Sequence, residues 1–235
     1  MGVGSFGRRG VFTSWPLQRS GETPRVDNVI CYKVYICSMP VRKQHSDEAN
    51  LYFITFTCYN WLPLFQTTNS YDVVYKWFRY LREKKSIQVT AYVIMPNHLH
   101  AILYFPMPNY SLNTIISNAK RFMAYEIIKR LEEENNKALL QQLADALSLK
   151  EKSKGQLHKV FKESFDAKAI DNEAFFLQKL NYIHLNPVRG NYKLVNDWRE
   201  YEHSSAPFYE LQRMGGNFTP VHYKDLKYLA GFDYM

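Results

Sequence analysis

Residues 91–104, AYVIMPNHLHAILY, constrain the fold more than any other segment of the chain. Two apolar, β-branched stretches flank Met95-Pro96-Asn97, and proline and asparagine are turn formers, so residues 87–94 and 98–105 read as the strands of a hairpin. Side chains alternate between faces along a strand. His98 and His100 therefore point the same way, about 6 to 7 Å apart, while Leu99 points into a core. Two neutral imidazoles on a rigid strand make half of a metal site and leave positions open for a third ligand and a substrate oxygen. On spacing alone, a satisfied core or edge histidine is the commoner use of such a triplet.

The flanking segments fix the architecture around this hairpin. Residues 51–59 are rich in aromatic and β-branched residues and read as a strand, closed by Pro63 and by Thr67-Thr68-Asn69-Ser70, which prepares a helix cap. Tyr71, Val74, Tyr75, Phe78 and Leu81 then recur at helical spacing, with Lys76, Arg79, Arg82, Lys84 and Lys85 on other faces. Past Pro106 and Pro108, Ser111 caps a second helix with the apolar stripe Leu112, Ile115, Ile116, Ala119, Met123, Ile127 and Leu131. That stripe leaves Lys120, Arg121, Lys129 and Arg130 for solvent or phosphate. The order strand, helix, strand, strand, helix specifies an α+β sandwich, an antiparallel-containing sheet with helices on one face.

Residues 49–209 are read as the main domain. Residues 1–48 lack periodicity and are rich in Gly, Ser, Arg and Pro, so they read as a poorly ordered arm. Met39 is an alternative start, the arm then being an over-long gene start, although the apolar stretch 29–36 argues against this. Residues 132–156 are a charge-mixed, solvated helical excursion, and residues 210–235 a C-terminal tail.

Composition narrows the partner. At 235 residues, 46% apolar and 16% aromatic, the chain is globular, with no apolar run of membrane-spanning length and no signal-peptide core, so a cytoplasmic location is the expectation. Three cysteines, Cys31, Cys37 and Cys58, make neither a disulfide framework nor a structural zinc site. A net charge of +8 favours a polyanion, and eighteen Tyr, fifteen Phe and four Trp offer stacking platforms for unpaired bases.

Residues 171–187 hold the second chemical constellation. Asp171 is placed to cap a helix, Glu173 suits its first turn, and Asn186-Pro187 ends it. Phe176, Leu180 and Ile183 form the buried stripe. Tyr182 lies well over 90° from it, on a strip shared with Gln178, Lys179 and Asn186, and is presented rather than packed. Asn186, one turn on, can supply an oxygen ligand to the same ion.

Met95-Pro-Asn-His-Leu-His100, Tyr182-Ile-His-Leu-Asn-Pro-Val-Arg-Gly190 and Tyr201-Glu-His-Ser-Ser205 together resemble the single-tyrosine HUH transposases, specifically the REP-associated tyrosine transposase branch of the insertion-sequence superfamily. The resemblance spans residues 48–209, and residues 52–57 and 161–169 also fit it. It implies a ferredoxin-like or RRM-like HUH sandwich in which His98, His100 and Asn186 bind a divalent metal, Mg2+ or Mn2+, and Tyr182 is the nucleophile. It further implies cleavage and rejoining of single-stranded, hairpin-bearing DNA through a 5′-phosphotyrosine intermediate, by a homodimer whose tyrosine serves its own or its partner's histidines. A phenol is mostly protonated near neutral pH, so the nucleophile needs a nearby cation, metal or base, and Lys179 is the nearest candidate by helical spacing. For such a substrate Lys120 and Arg121 are candidate DNA-phosphate contacts and Trp61, Trp77 or Tyr104 candidate stacking residues, and His184 reads as structural or DNA-contacting. A domesticated hairpin-DNA-binding protein without turnover is the alternative. Other HUH enzymes are disfavoured by the small size, and an unrelated metallohydrolase by the lack of further clustered histidines.

Overall fold

The computed structural model describes residues 49–106, 110–189, 193–214 and 216–226. The arm at 1–48, with its alternative start, lies outside the described residues, as do Cys31 and Cys37. The elements run β1 (Leu51–Thr57), α1 (Leu64–Thr67), α2 (Tyr71–Lys85), β2 (Gln88–Met95), β3 (His98–Tyr104), α3 (Leu112–Glu133), α4 (Lys137–Asp145), α5 (Leu149–Lys152), β4 (Asp166–Ala169), α6 (Glu173–Leu185) and α7 (Ala206–Glu210). The strands form one antiparallel sheet of order β2-β3-β1-β4. β1 and β2, joined through α2, are therefore parallel to each other with β3 between them, the split βαβ arrangement of a ferredoxin-like sandwich.

Alternation along β3 explains how the layers divide. Leu99, Ala101 and Leu103 enter a core with α2 and α3, whereas Ile102 and Tyr104 join Phe53, Val93 and the α6 residues Phe176, Leu180 and Ile183 in a second cluster. Helices α2 and α3 cover one face as the periodicity predicts, and all seven residues of the α3 stripe are buried. The opposite face also carries a helix, because α6 has its own apolar stripe to bury. The histidines lie on this face, beneath the C-terminal part of α6.

The helix ends follow local chemistry. The Ser111 hydroxyl accepts from Thr114 N at 3.3 Å, a side-chain cap for α3. Ser70 occupies the cap position of α2 without a side-chain cap bond; its hydroxyl instead accepts from the Thr68 hydroxyl. The excursion at 132–156 condenses into α4, whose Leu143 is fully buried, and α5, which opens on a Ser148/Glu151 capping box. Past α7 the chain returns to the sheet. Val221 N donates to Val89 O, and Tyr92 Oη donates to the carbonyl of the buried Phe218. Among the described residues no helix is long and apolar enough to cross a membrane.

Candidate active site

β3 sets His98 opposite Met95 on β2 and Thr57 on β1, and His100 opposite Val93 and Thr55. Both imidazoles stand on the α6 face with ring centroids 4.8 Å apart. Each has one ring nitrogen engaged by a neighbouring oxygen: His98 Nδ1 lies 2.6 Å from Asn97 Oδ1, and His100 Nδ1 lies 2.6 Å from Thr55 Oγ1. Phe53 stacks on His100 at 5.5 Å between centroids. Burial pushes His98 down to about 4 against the opposing effect of the Asn186 carboxamide. Burial likewise holds His100 well below its ordinary value, and the charges of His98 and Lys179 act in the same direction. Both rings are thus neutral near pH 7, the form that binds metals.

Helix α6 brings the other members. Its cap is Asn172, whose Oδ1 accepts from Phe175 N at 2.8 Å, and not Asp171 as the sequence reading placed it. Asp171 Oδ1 instead accepts from Asn172 Nδ2, orienting the cap. Phe176, Leu180 and Ile183 are buried as expected, and Tyr182 stays 40% exposed. The Tyr182 ring meets His100 edge-on at 5.1 Å and Phe53 at 5.9 Å. Lys179 Nζ lies 5.8 Å from the Tyr182 ring centroid and 5.0 Å from those of Phe53 and Phe175, a positive charge held among aromatic faces. Burial lowers its pKa, as does the charge of Lys168. At the helix end, Asn186 Oδ1 lies 3.2 Å from His98 Nε2. Tyr182, Asn186, His98 and His100, predicted from two separate motifs, meet within one chain.

The donor set fits a divalent ion. Each histidine has Nδ1 occupied by an outer oxygen, the usual arrangement of a metal-binding imidazole, which leaves Nε2 as the nitrogen available to an ion. Adjacent ligand atoms about 2.1 Å from one octahedral ion lie about 3.0 Å from each other. The His98 Nε2 to Asn186 Oδ1 spacing of 3.2 Å matches that separation. Among the described residues no cluster of three or more His, Cys, Asp or Glu side chains could hold an ion, so the set is two imidazoles and a carboxamide, without a charge of its own.

Other sequence candidates are placed elsewhere. Lys120, read as a phosphate contact, is a structural residue: its ammonium donates to the carbonyls of Lys162, Glu163 and Ser164 at 2.5, 2.9 and 3.4 Å, which uses all three of its protons. Burial lowers it to about 8, against the pull of Glu163. Arg121 is exposed on α3, its guanidinium 5.4 Å over the Phe122 ring, on the sheet side away from the histidines. Arg130 is bound to Asp72 and Glu126 and to the carbonyls of Thr68 and Asn69. Trp77 and Tyr104 are buried, whereas Trp61 is 52% exposed, with its ring edge-on to His98 and Lys162 Nζ 4.4 Å from its centroid. His184 is buried against Ser205 Oγ and the Trp198 ring, a structural role.

The segment Tyr201-Glu-His-Ser-Ser205 closes the free edge of β2. Ile94 N donates to His203 O, Ser205 N donates to Tyr92 O, Tyr92 N donates to Ser205 Oγ, and Tyr201 Oη donates to Ile94 O. Thr55, Asn97 and Phe53 were not singled out by sequence reasoning. Asn97 directly precedes His98 and could have been suspected on that ground. Thr55 meets His100 only through strand register, which no local pattern encodes.

Residues 50–144 match the family model described as Transposase IS200 like, a span that includes both histidines and ends before α6. A solved REP-associated tyrosine transposase bound to a REP hairpin aligns at 17% identity and TM-score 0.48, over 71% of this chain and 82% of that one. A candidate transposase from Deinococcus radiodurans R1 aligns at 12% identity and TM-score 0.34, over 57% of this chain and 87% of that one. No curated protein matches.

Proposed function

We propose, from the match of residues 50–144 to the IS200-like transposase family model, that the protein cleaves and rejoins single-stranded, hairpin-bearing DNA with Tyr182 as nucleophile. The observation that carries this reading is the meeting of Tyr182 and Asn186, both from outside the matched span, with the His98/His100 pair. A lone His-x-His has many uses. A tyrosine and a carboxamide oxygen brought to the same pair from a helix more than eighty residues away have few.

Each residue has a role that its chemistry permits. The Tyr182 oxygen attacks the scissile phosphorus as the bond to the 3′ oxygen breaks, leaving a 3′ hydroxyl and a 5′-phosphotyrosine; the phenolic proton ends on the departing oxygen. Rejoining is the reverse, with a 3′ hydroxyl as attacker, so no high-energy cofactor is consumed. A divalent ion, Mg2+ or Mn2+, held by His98, His100 and Asn186 would withdraw charge from the phosphate oxygens and the departing 3′ oxygen. Because those ligands are uncharged, the substrate phosphate balances the ion's charge, which links metal retention to DNA binding. Lys179 places a positive charge beside the Tyr182 ring, where the phosphate would lie. Trp61, exposed beside His98 and backed by Lys162, offers a stacking face to a base flanking the cleaved bond. The REP-associated branch and a homodimeric state belong to the same reading and rest on the motif resemblance.

The test uses hairpin-bearing single strands labelled at either end, with Mn2+ or Mg2+. The expected result is covalent capture of the 3′-labelled fragment, abolished in Tyr182→Phe and in His98→Ala and by a chelator. Tight hairpin binding with no adduct in either metal would instead establish a binding protein without turnover.

A further inference from the structure

We infer that Asn97 is the positioning residue that fixes the ring-proton state of His98, so that Nε2 presents a lone pair to the site. The inference rests on the metal-assisted reading above and adds to it a residue with no assigned role.

The argument follows the two ends of one carboxamide. Asn97 Nδ2 donates to the carbonyl oxygen of Trp61 at 3.1 Å. A carbonyl can only accept, so the orientation of the Asn97 amide is settled and its other end, Oδ1, is an acceptor. Oδ1 lies 2.6 Å from His98 Nδ1, so the proton of the neutral imidazole sits on Nδ1. Nε2 is then unprotonated, and it faces Asn186 Oδ1, a second acceptor, at 3.2 Å. Two electron-rich atoms aimed at each other without a proton between them make a contact that a cation completes. The equivalent contact at His100 lacks this directionality, because the Thr55 hydroxyl can donate or accept.

The Trp61 carbonyl is itself held in place. Asn60 and Trp61 have φ of 48° and 58°, consecutive non-glycine residues in the left-handed region, a conformation that persists only where surroundings enforce it. The enforcing contacts dock this turn on the β2–β3 hairpin: Cys58 N donates to Asn97 O at 2.8 Å and Phe65 N to Pro96 O at 3.0 Å. Asn97 thus ties a strained rim residue to the state of a ligand.

The experiment records long-range 1H–15N spectra of the imidazoles in the metal-free full-length protein near pH 7.5, with His98 assigned by its loss in His98→Gln, and in parallel titrates Mn2+. The wild type is expected to show His98 protonated at Nδ1 and bare at Nε2. Asn97→Leu, which removes both bonds, is expected to shift the proton toward Nε2 and to weaken Mn2+ binding about 10- to 100-fold. Asn97→Asp keeps the acceptor for His98 and loses only the donor to Trp61, so it is expected to retain the Nδ1 proton and near-native Mn2+ affinity. A wild-type His98 protonated at Nε2 would overturn the inference without recourse to any variant. So would equal losses in Asn97→Asp and Asn97→Leu, which would make Asn97 only a pin for the Trp61 turn. If the wild type binds no Mn2+, the metal reading fails, while the tautomer of the metal-free protein still decides the role of Asn97.

Discussion

Lys120 illustrates how far a single side chain can mislead when only its neighbours in sequence are known. It lies at the polar edge of the α3 stripe and resembles any solvated lysine. Its ammonium instead gathers the loop carbonyls of residues 162–164 that lead into β4. Lys120→Met is therefore expected to lower unfolding stability by about 1 kcal/mol, the cost of leaving partly buried acceptors without this donor. It should leave the salt dependence of DNA binding unchanged, since a residue that neutralises no phosphate contributes nothing to that slope. Chemical denaturation and binding titrations at several salt concentrations measure both effects. The residues legible in advance were those whose geometry is periodic: His98 and His100 from the two-residue repeat of a strand, and Asn186 from its one-turn offset to Tyr182. Asn97 and Thr55 were not, because their contacts with Trp61 and His100 are made across 36 and 45 residues of chain.

At the scale of elements, the apolar stripes of α2, α3 and α6 and the hairpin were readable because burial imposes a period on the sequence. The end of α6 was readable for a different reason, the exclusion of helical backbone before Pro187. Its beginning was off by one residue, since Asp171 and Asn172 are both good caps and only backbone geometry separates them. The excursion at 132–156 gave no useful period, yet it is anchored. Glu151 Oε1 pairs with Lys159 Nζ at 2.8 Å, and the Glu151 carboxylate also accepts from Ser148 N and Ser148 Oγ. Burial alone would raise the Glu151 carboxyl, but the bonds from Lys159 and Ser148 outweigh it and hold the group at about 2. A carboxyl depressed on folding contributes stability that is fully present above its unfolded value and is lost as pH falls toward the folded one. Stability is therefore expected to decline from about pH 4.5 toward pH 2 through this group. Glu151→Gln should flatten that part of the pH profile and lower stability above it, as read by thermal unfolding at a series of pH values.

For the molecule as a whole, one sheet serves two cores, and the site lies between β3 and the C-terminal part of α6. β2, an outer strand, is covered by Tyr201–Ser205 hydrogen bonds along one part and by Val221 along another, so this edge is closed to pairing with other strands. The segment at 201–205 thus seals this edge of the sheet beside the site. Tyr182 lies against the histidines of its own chain, so in the proposed mechanism one protomer would carry the nucleophile and the ligands together. Mixing Tyr182→Phe with His98→Ala protein is accordingly expected to yield no covalent DNA adduct. Adduct at an appreciable fraction of the wild-type level would require the tyrosine of one subunit to work with the histidines of another.

Helix α6 carries Tyr182 on its last turns and Asn186 at its C-terminal cap. In the proposed mechanism the attacking group and the third ligand therefore share one helix, bounded by the Asn172 cap and Pro187. Any tilt that withdraws one withdraws the other, so the helix acts as a latch with two teeth. On the proposed mechanism, arming the nucleophile and closing the ligand set would become a single event in time, and a strand joined to Tyr182 would be carried away from the histidines only by opening both at once.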